Sequence, residues 1–148
     1  MKNFNGIWFF GLSGVGKSFA SEFLLKKLPN AIKLDGDIVR RYISYDLGYS
    51  ISERKTQISR IFNLAQLLIF ERKIPIISTV YFDNNLLKKT LTENIAVFKI
   101  QRANGINKKL VNQKKNVVGV DIDYEEIDCK VIINDDSFKK KLTKIFVD

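Results

Sequence analysis

Short apolar runs alternate along the chain with longer stretches whose apolar residues recur at helical spacing. Such runs, bounded by polar residues, are typical of strands buried on both faces of a parallel sheet. Strands are predicted at 6–10, 31–34, 74–79, 95–100 and 131–133. Helices are predicted from the residue after Gly16 to Leu28, in a short segment that begins at Asp37, and at 52–72, 84–93 and 137–146. Ser52 is the predicted N-cap of the third helix. This alternation predicts an α/β fold with a central parallel sheet.

Residues 11–18 follow the first predicted strand directly and read Gly-Leu-Ser-Gly-Val-Gly-Lys-Ser. This is the pattern GxxxxGK(S/T) between a strand and a helix, in which backbone N–H groups converge on the phosphates of a nucleoside triphosphate. Lys17 can then reach the outer phosphates, and the Ser18 hydroxyl can ligate Mg²⁺. A plain glycine turn, the alternative, would leave both side chains unexplained. The predicted ATP phosphate-binding residues are Gly11, Ser13, Gly14, Val15, Gly16, Lys17 and Ser18.

The phosphate loop narrows the fold to a P-loop NTPase-type three-layer sandwich with a central parallel sheet. Phosphate sites in such sheets lie at the carboxyl ends of the strands. Asp35 and Asp37 follow the second predicted strand, and Ser78 and Thr79 end the third. We therefore expect these side chains and the phosphate loop to converge at one edge of the sheet.

Asp35 and Asp37 are two carboxylates beside a predicted triphosphate. One can hold Mg²⁺ or its water ligands, and the other can accept a proton from an attacking hydroxyl. The alternative is a turn in which Asp35 only caps the next helix. Arg40 lies three residues after Asp37, where the two can share a helical face, and its planar fork can hold a phosphate or sulfate of the acceptor.

The composition restricts the chemistry. The chain has no histidine and one cysteine, Cys129, which excludes Ser-His and Cys-His catalysis and leaves acid–base work to carboxylates or lysine. A single cysteine cannot form an internal disulfide, so we expect a cytoplasmic protein. The 148 residues suit a single domain over 1–148. No signal peptide and no run long enough to span a membrane is recognisable, so no membrane partner is expected.

The net charge of +9, from 25 Lys and Arg against 16 Asp and Glu, attracts anions. Two classes of partner compete on this ground, nucleic acids and small phosphate-rich nucleotides. The chain has no recognised nucleic-acid-binding motif, so we expect nucleotide substrates and no nucleic acid. A non-catalytic nucleotide-binding module is a further alternative, against which Lys17, Ser18, Asp35 and Asp37 argue.

The motifs resemble those of the adenylylsulfate kinases in order and spacing over nearly the whole chain. The block Leu-Asp-Gly-Asp-x-x-Arg at 34–40, followed by Asp-Leu-Gly-aromatic-Ser at 46–50, is specific to that family. Glu53-Arg54 and the late run Gly-Val-Asp-Ile-Asp-Tyr-Glu at 119–125 also match. This combination is far more informative than the phosphate loop alone.

The resemblance implies a kinase that uses ATP and Mg²⁺ to phosphorylate the ribose 3′-hydroxyl of a 5′-modified nucleotide. It implies Asp37 as the catalytic base, with Lys17 and Asp35 assisting, and Ser18 and Asp35 as metal ligands. The implied acceptor-binding residues are Asp37, Arg40, Tyr49, Arg54 and Gln57. Those implied for the donor base and for a lid over about 102–118 are Arg102, Lys108, Lys109 and Asp121. The family often dimerises, so the resemblance also implies a homodimer.

The chain departs from the family motifs at three places. Residues 57–60 read Gln-Ile-Ser-Arg instead of Asn-Ile-Arg-Arg, residues 80–83 lack a Ser-Pro pair, and residues 104–107 lack a lysine and a tyrosine. A site that pairs with polar groups of its substrate discriminates strongly when those groups change. The departures therefore favour cytidine diphosphoramidate as the acceptor, as in related kinases of capsular polysaccharide modification. Adenylylsulfate, yielding 3′-phosphoadenylylsulfate, is the alternative.

Overall fold

Strand β1 (Gly6–Phe10) lies in the middle of a five-stranded sheet in the computed structural model, which describes residues 3–103 and 125–148. The other strands are β2 (Ala31–Asp35), β3 (Ile74–Thr79), β4 (Ile95–Arg102) and β5 (Lys130–Asn134). The helices are α1 (Lys17–Lys27), α2 (Gly36–Tyr42), α3 (Ile51–Phe70), α4 (Asn84–Thr92) and α5 (Phe138–Leu142), the last followed by a π-helical turn at Thr143–Val147.

The strand order is β2-β3-β1-β4-β5, and every neighbouring pair is parallel. Parallel strands all end at the same edge of a sheet, so the residues that follow them are brought together there. The predicted α/β sandwich with a central parallel sheet is therefore confirmed, and the five predicted strands are all present.

Two apolar cores cover the two faces of the sheet, and β1 contributes to both. Ile7 and Phe9 point into one core, and Trp8 and Phe10 point into the other. Side chains of a strand alternate between faces, so a strand that is apolar at every position must be covered on both sides. The first core includes residues of α1 and α5, namely Ala20, Leu24, Phe138 and Leu142. The second includes residues of α3 and α4, namely Ile58, Ile61, Phe62, Ala65 and Leu86.

Several element boundaries differ from the sequence-based expectation, among them the end of the C-terminal α-helix at Leu142 instead of Phe146, and two of the differences lie near the candidate site. The N-cap of α3 is Ser50, whose hydroxyl accepts a hydrogen bond from the Glu53 N–H at 3.3 Å, whereas Ser52 was expected. Strand β4 continues to Arg102, so the first residue of the predicted lid belongs to the sheet. The remainder of that lid, apart from Ala103, lies outside the described residues. In the described part of the chain, none of the helices has the length and apolar character needed to cross a bilayer.

The capping assignment is testable by comparing two serines. The Ser50 hydroxyl also donates to the Glu53 carboxylate at 2.7 Å, and loss of such a cap costs about 1 kcal/mol. We expect Ser50→Ala to lower the free energy of unfolding by about that amount, and Ser52→Ala to change it by less than about 0.5 kcal/mol. Denaturant unfolding followed by circular dichroism measures both. A larger loss in Ser52→Ala would contradict the assignment.

Candidate active site

The phosphate loop leaves β1 at the centre of the carboxyl edge and enters α1. Gly16, the residue before α1, has a φ of 111°, and a Cβ there would lie 2.4 Å from the Asn134 amide nitrogen. At Gly11 a Cβ would lie 2.5 Å from the Ile100 carbonyl oxygen. Both positions therefore require glycine, because a side chain would collide with neighbouring strands as well as strain the backbone.

Lys17 is the first residue of α1, and its ammonium group lies over the loop. It donates to the carbonyl oxygens of Gly11 at 2.7 Å and Leu12 at 2.9 Å. Burial lowers the pKa of Lys17 to about 8, and the nearby carboxylates of Asp37 and Asp35 oppose that shift. A poorly solvated cation next to a phosphate-binding loop is well suited to stabilise phosphate charge.

Asp35 and Asp37 differ in their surroundings. One carboxylate oxygen of Asp35 accepts hydrogen bonds from the backbone N–H groups of Asp37 at 2.9 Å and Ile38 at 3.3 Å, so Asp35 is the N-cap of α2. The other oxygen accepts from the Ser78 hydroxyl at 3.4 Å. Asp37 is exposed at the start of the helix. The capping alternative for Asp35 is thus realised, and it holds the Asp35 carboxylate at the wall of the cleft.

The loop and the aspartates share one cleft of about 370 Å³. Its lining combines residues from the carboxyl ends of four strands, as the strand pattern predicts: Ser13, Gly14, Gly16, Lys17, Ser18, Asp35, Gly36, Asp37, Ser78, Thr79, Val80 and Arg102. Among the described residues, no three His, Cys, Asp or Glu side chains form a metal cluster. Mg²⁺ bound to a nucleotide takes most of its ligands from phosphates and water, so the oxygens of Ser18 and Asp35 in this cleft fit the ion.

The predicted acceptor-binding residues form a second group around Tyr49. The Arg40 guanidinium lies 4.3 Å from the centre of the Tyr49 ring, and that of Arg54 lies 5.4 Å from it. Arg40 donates to the Gly48 carbonyl at 2.6 Å, and Arg54 donates to the Tyr49 carbonyl at 3.0 Å. Tyr49 keeps 50% of its surface exposed. Two cations beside one accessible aromatic ring can hold an anionic nucleotide.

Gln57 connects this group to the aspartates. Its amide donates to the carbonyl of Gly36 at 3.1 Å, the residue between Asp35 and Asp37. Gln57 is buried on α3. The structure therefore brings Asp37, Arg40, Tyr49, Arg54 and Gln57 into one continuous region, as the resemblance implies.

Arg102 lines both the cleft and a second groove of about 750 Å³. Its Nε–H donates to the carbonyl of Gly14. The groove is lined by Gly16, Phe19, Arg102, Asn134, Asp135, Asp136, Phe138, Lys139 and Lys140. The other residues predicted for the donor base or lid, Lys108, Lys109 and Asp121, lie outside the described residues.

Asn134 is a residue at this site that sequence reasoning missed. It ends β5, and its amide donates to the carbonyl of Val15 in the phosphate loop at 2.9 Å. The signal that could have found it is a polar residue directly after the last apolar run, the same signal that identified Asp35. Polar residues at the carboxyl ends of parallel strands reach the shared edge.

The strand, loop and helix around Lys17 are those of a P-loop kinase, and the comparisons with known proteins identify which kind. The family model for adenylylsulphate kinase matches residues 4–100. The adenylyl-sulfate kinase of Rippkaea orientalis is 31% identical over 161 residues, covering 95% of this chain and 88% of the relative. That of Clostridium acetobutylicum is 34% identical over 137 residues, covering 81% and 68%. The chain belongs to the adenylylsulphate kinase family.

Solved structures agree in fold. The Mycobacterium tuberculosis APS kinase CysC in complex with AMPPNP and APS has a TM-score of 0.80 at 22% identity, with 98% of this chain and 96% of that chain covered. A hexameric APS kinase from Thiobacillus denitrificans has a TM-score of 0.65 at 22% identity, covering 95% of this chain and 28% of that one. Membership of the family makes this protein a nucleotide kinase, a phosphotransferase with an alcohol group as acceptor.

The pKa of Lys17 predicts proton uptake on nucleotide binding. With that pKa at about 8, half of the protein carries neutral Lys17 at pH 8. A bound triphosphate favours the charged form and raises the pKa, so binding at pH 8 takes up roughly half a proton and affinity falls as the pH rises further.

Isothermal titration with ATP in two buffers of different ionisation enthalpy measures this uptake. Lys17→Arg is the matched variant because arginine stays charged across this range. We expect buffer-dependent heats for the wild type at pH 8 and a much smaller buffer dependence for Lys17→Arg at the same pH. Identical wild-type heats in both buffers at pH 8 would show that Lys17 does not titrate on binding.

Proposed function

We propose that this protein transfers the γ-phosphate of ATP to the ribose 3′-hydroxyl of adenylylsulfate, yielding 3′-phosphoadenylylsulfate. The observation that carries the proposal is the connection through Gly36. Gly36 lines the cleft together with Lys17 and Ser18. Its carbonyl also accepts a hydrogen bond from the amide of Gln57, which belongs to the acceptor-binding group around Tyr49. A phosphate donor and an anionic nucleotide acceptor can therefore meet at Asp37.

The phosphate loop and the groove beside it form the ATP-binding half of the proposed site. The loop N–H groups and Lys17 bind the β- and γ-phosphates and offset the charge that develops during in-line transfer. When bound, Mg²⁺ would neutralise part of that phosphate charge, held by the Ser18 hydroxyl and by Asp35 directly or through water. The adenine lies in the groove beyond Arg102, where Phe19 offers an aromatic surface.

In the acceptor half, the guanidinium groups of Arg40 and Arg54 bind the anionic 5′ group, and the half-exposed Tyr49 stacks on the base. Asp37 accepts the proton of the 3′-hydroxyl as its oxygen attacks the γ-phosphorus. Closure of the predicted lid over the site would exclude water from this step. The single kinase domain and the homodimer remain predictions.

The departures from the family motifs predicted cytidine diphosphoramidate as the acceptor, and the adenylylsulfate alternative is better supported. The relatives compared above are adenylyl-sulfate kinases. Several of the altered side chains that the structure describes also face inward. The amide of Gln57 binds a backbone carbonyl, Tyr81 and Phe82 are buried at 4% and 0% exposure, and Asp83 caps α4. Changes with partners inside the protein do not require a different acceptor.

The acceptor is tested by measuring ADP release with ATP and Mg²⁺. Adenylylsulfate and cytidine diphosphoramidate are compared at equal concentrations, with an assay lacking acceptor as the blank. A site built for one acceptor should favour it by about a hundredfold or more, so we expect turnover with adenylylsulfate. Turnover with the cytidine compound alone would mean that the altered motifs determine specificity after all. Silence with both would favour a non-catalytic module.

The role of Asp37 is tested with Asp37→Asn, which keeps the shape of the side chain and removes its basicity. Loss of a general base lowers turnover by about 10²- to 10⁴-fold, and because Asp37 is placed on the acceptor side, the ATP affinity should remain close to that of the wild type. Asp128→Asn, at an exposed position outside the cleft, is the matched control. Full turnover in Asp37→Asn would exclude Asp37 as the base.

A further inference from the structure

The carbonyl groups of the phosphate loop need donors of their own. A loop that turns its N–H groups toward an anion must turn carbonyls away from it, and buried carbonyls require hydrogen-bond partners. Three of these carbonyls find donors within the loop and its helix: Lys17 donates to the carbonyls of Gly11 and Leu12, and the Ala20 N–H donates to that of Gly16.

The carbonyls of Gly14 and Val15 take their donors from segments that are distant in the sequence. Arg102, 88 residues away from Gly14, donates its Nε–H to the Gly14 carbonyl. Asn134, 119 residues away from Val15, donates its side-chain amide to the Val15 carbonyl at 2.9 Å. The middle of the loop is therefore held by side chains that only the folded sheet supplies.

These two donors are neighbours in the sheet. Arg102 ends β4 and Asn134 ends β5, and they are direct partners in the parallel register. The Ala103 N–H donates to the Asn134 carbonyl at 3.4 Å, which adds a contact just beyond the end of the ladder. The register between β4 and β5 therefore fixes the spacing between the two donors.

Asn134 and the bend of the loop also fit each other sterically. Its amide nitrogen lies so close to Gly16 that a Cβ there would be at 2.4 Å, and Gly16 has the positive φ of 111° that starts α1. Asn134 is half-buried. The amide therefore contacts the loop on both the Val15 carbonyl and Gly16, immediately before the Lys17 N–H.

We propose that Asn134 is a positioning residue for phosphate binding: by holding the Val15 carbonyl outward, it keeps the adjoining N–H groups aimed at the donor phosphates. Asn134 binds the loop rather than the nucleotide. The inference rests on the proposed function only in that the loop binds the phosphates of ATP. A loop held in advance does not have to be ordered when the ligand arrives, which strengthens binding.

Asn134 also lines the groove assigned to the adenine, so the experiment must separate the two roles. Isothermal titration with ADP and with inorganic tripolyphosphate does so, because tripolyphosphate has no base. Asn134→Leu removes the donor at similar size. We expect it to weaken both ligands about tenfold, which corresponds to about 1.4 kcal/mol. A role in base binding alone would weaken ADP and leave tripolyphosphate unchanged.

Asn5→Leu is the matched control. The Asn5 amide likewise donates to a single backbone carbonyl, that of Glu93 at 2.9 Å, just before β1 at the opposite edge of the sheet. We expect wild-type affinity for both ligands in this variant. Asn134→Ser, a smaller change that also shortens the donor, covers the case in which leucine prevents folding, and thermal unfolding by circular dichroism reports on each variant.

Unchanged affinity for tripolyphosphate in the folded Asn134 variants, with normal wild-type binding, would overturn this inference and leave the proposed function intact. Absence of ADP and tripolyphosphate binding in the wild type would overturn the proposed function and this inference with it. In the steady state, a positioning role should raise KM for ATP and leave KM for the acceptor within about twofold.

Discussion

The complete burial of β1 is the constraint on which the rest of the structure depends. All its residues from Gly6 to Phe10 are buried, it pairs with β3 on one side and β4 on the other, and its side chains enter both cores. A strand apolar on both faces must be covered by helices on both. The phosphate loop therefore starts at the centre of the carboxyl edge, where the ends of the neighbouring strands surround it.

Two features of that edge suit a phosphate site: opposing influences on the charge of Lys17, and hydrogen bonds that hold the phosphate loop. Burial disfavours the charge of Lys17, while the carboxylates of Asp35 and Asp37 favour it. The carbonyls of the phosphate loop are bound by Arg102, Asn134 and Lys17. The negative charge of a bound polyphosphate would further favour the ammonium form of Lys17, so Lys17 is more fully charged when the ligand is bound.

Prediction from sequence succeeded where the signal is local and strong. The strands were found to within two residues because each contains a short, mainly apolar run, and the phosphate loop was found because its glycines and lysine follow one. The N-cap of α3 was misplaced by two residues because Ser50 and Ser52 are both acceptable caps. The contacts of Glu53 with Gly48 and Ser50 decide between them, and these depend on how the chain enters the helix.

The sequence by itself determined the class of fold, the position of the phosphate loop and the family, because periodicity and contiguous motifs are carried by neighbouring residues. The tertiary structure alone decided that Gln57 would reach Gly36, that Arg40 and Arg54 would flank Tyr49, and that Asn134 would hold the Val15 carbonyl. The last of these contacts spans 119 residues. Its partners meet because parallel strands deliver distant segments to one edge in a register set by packing and backbone pairing.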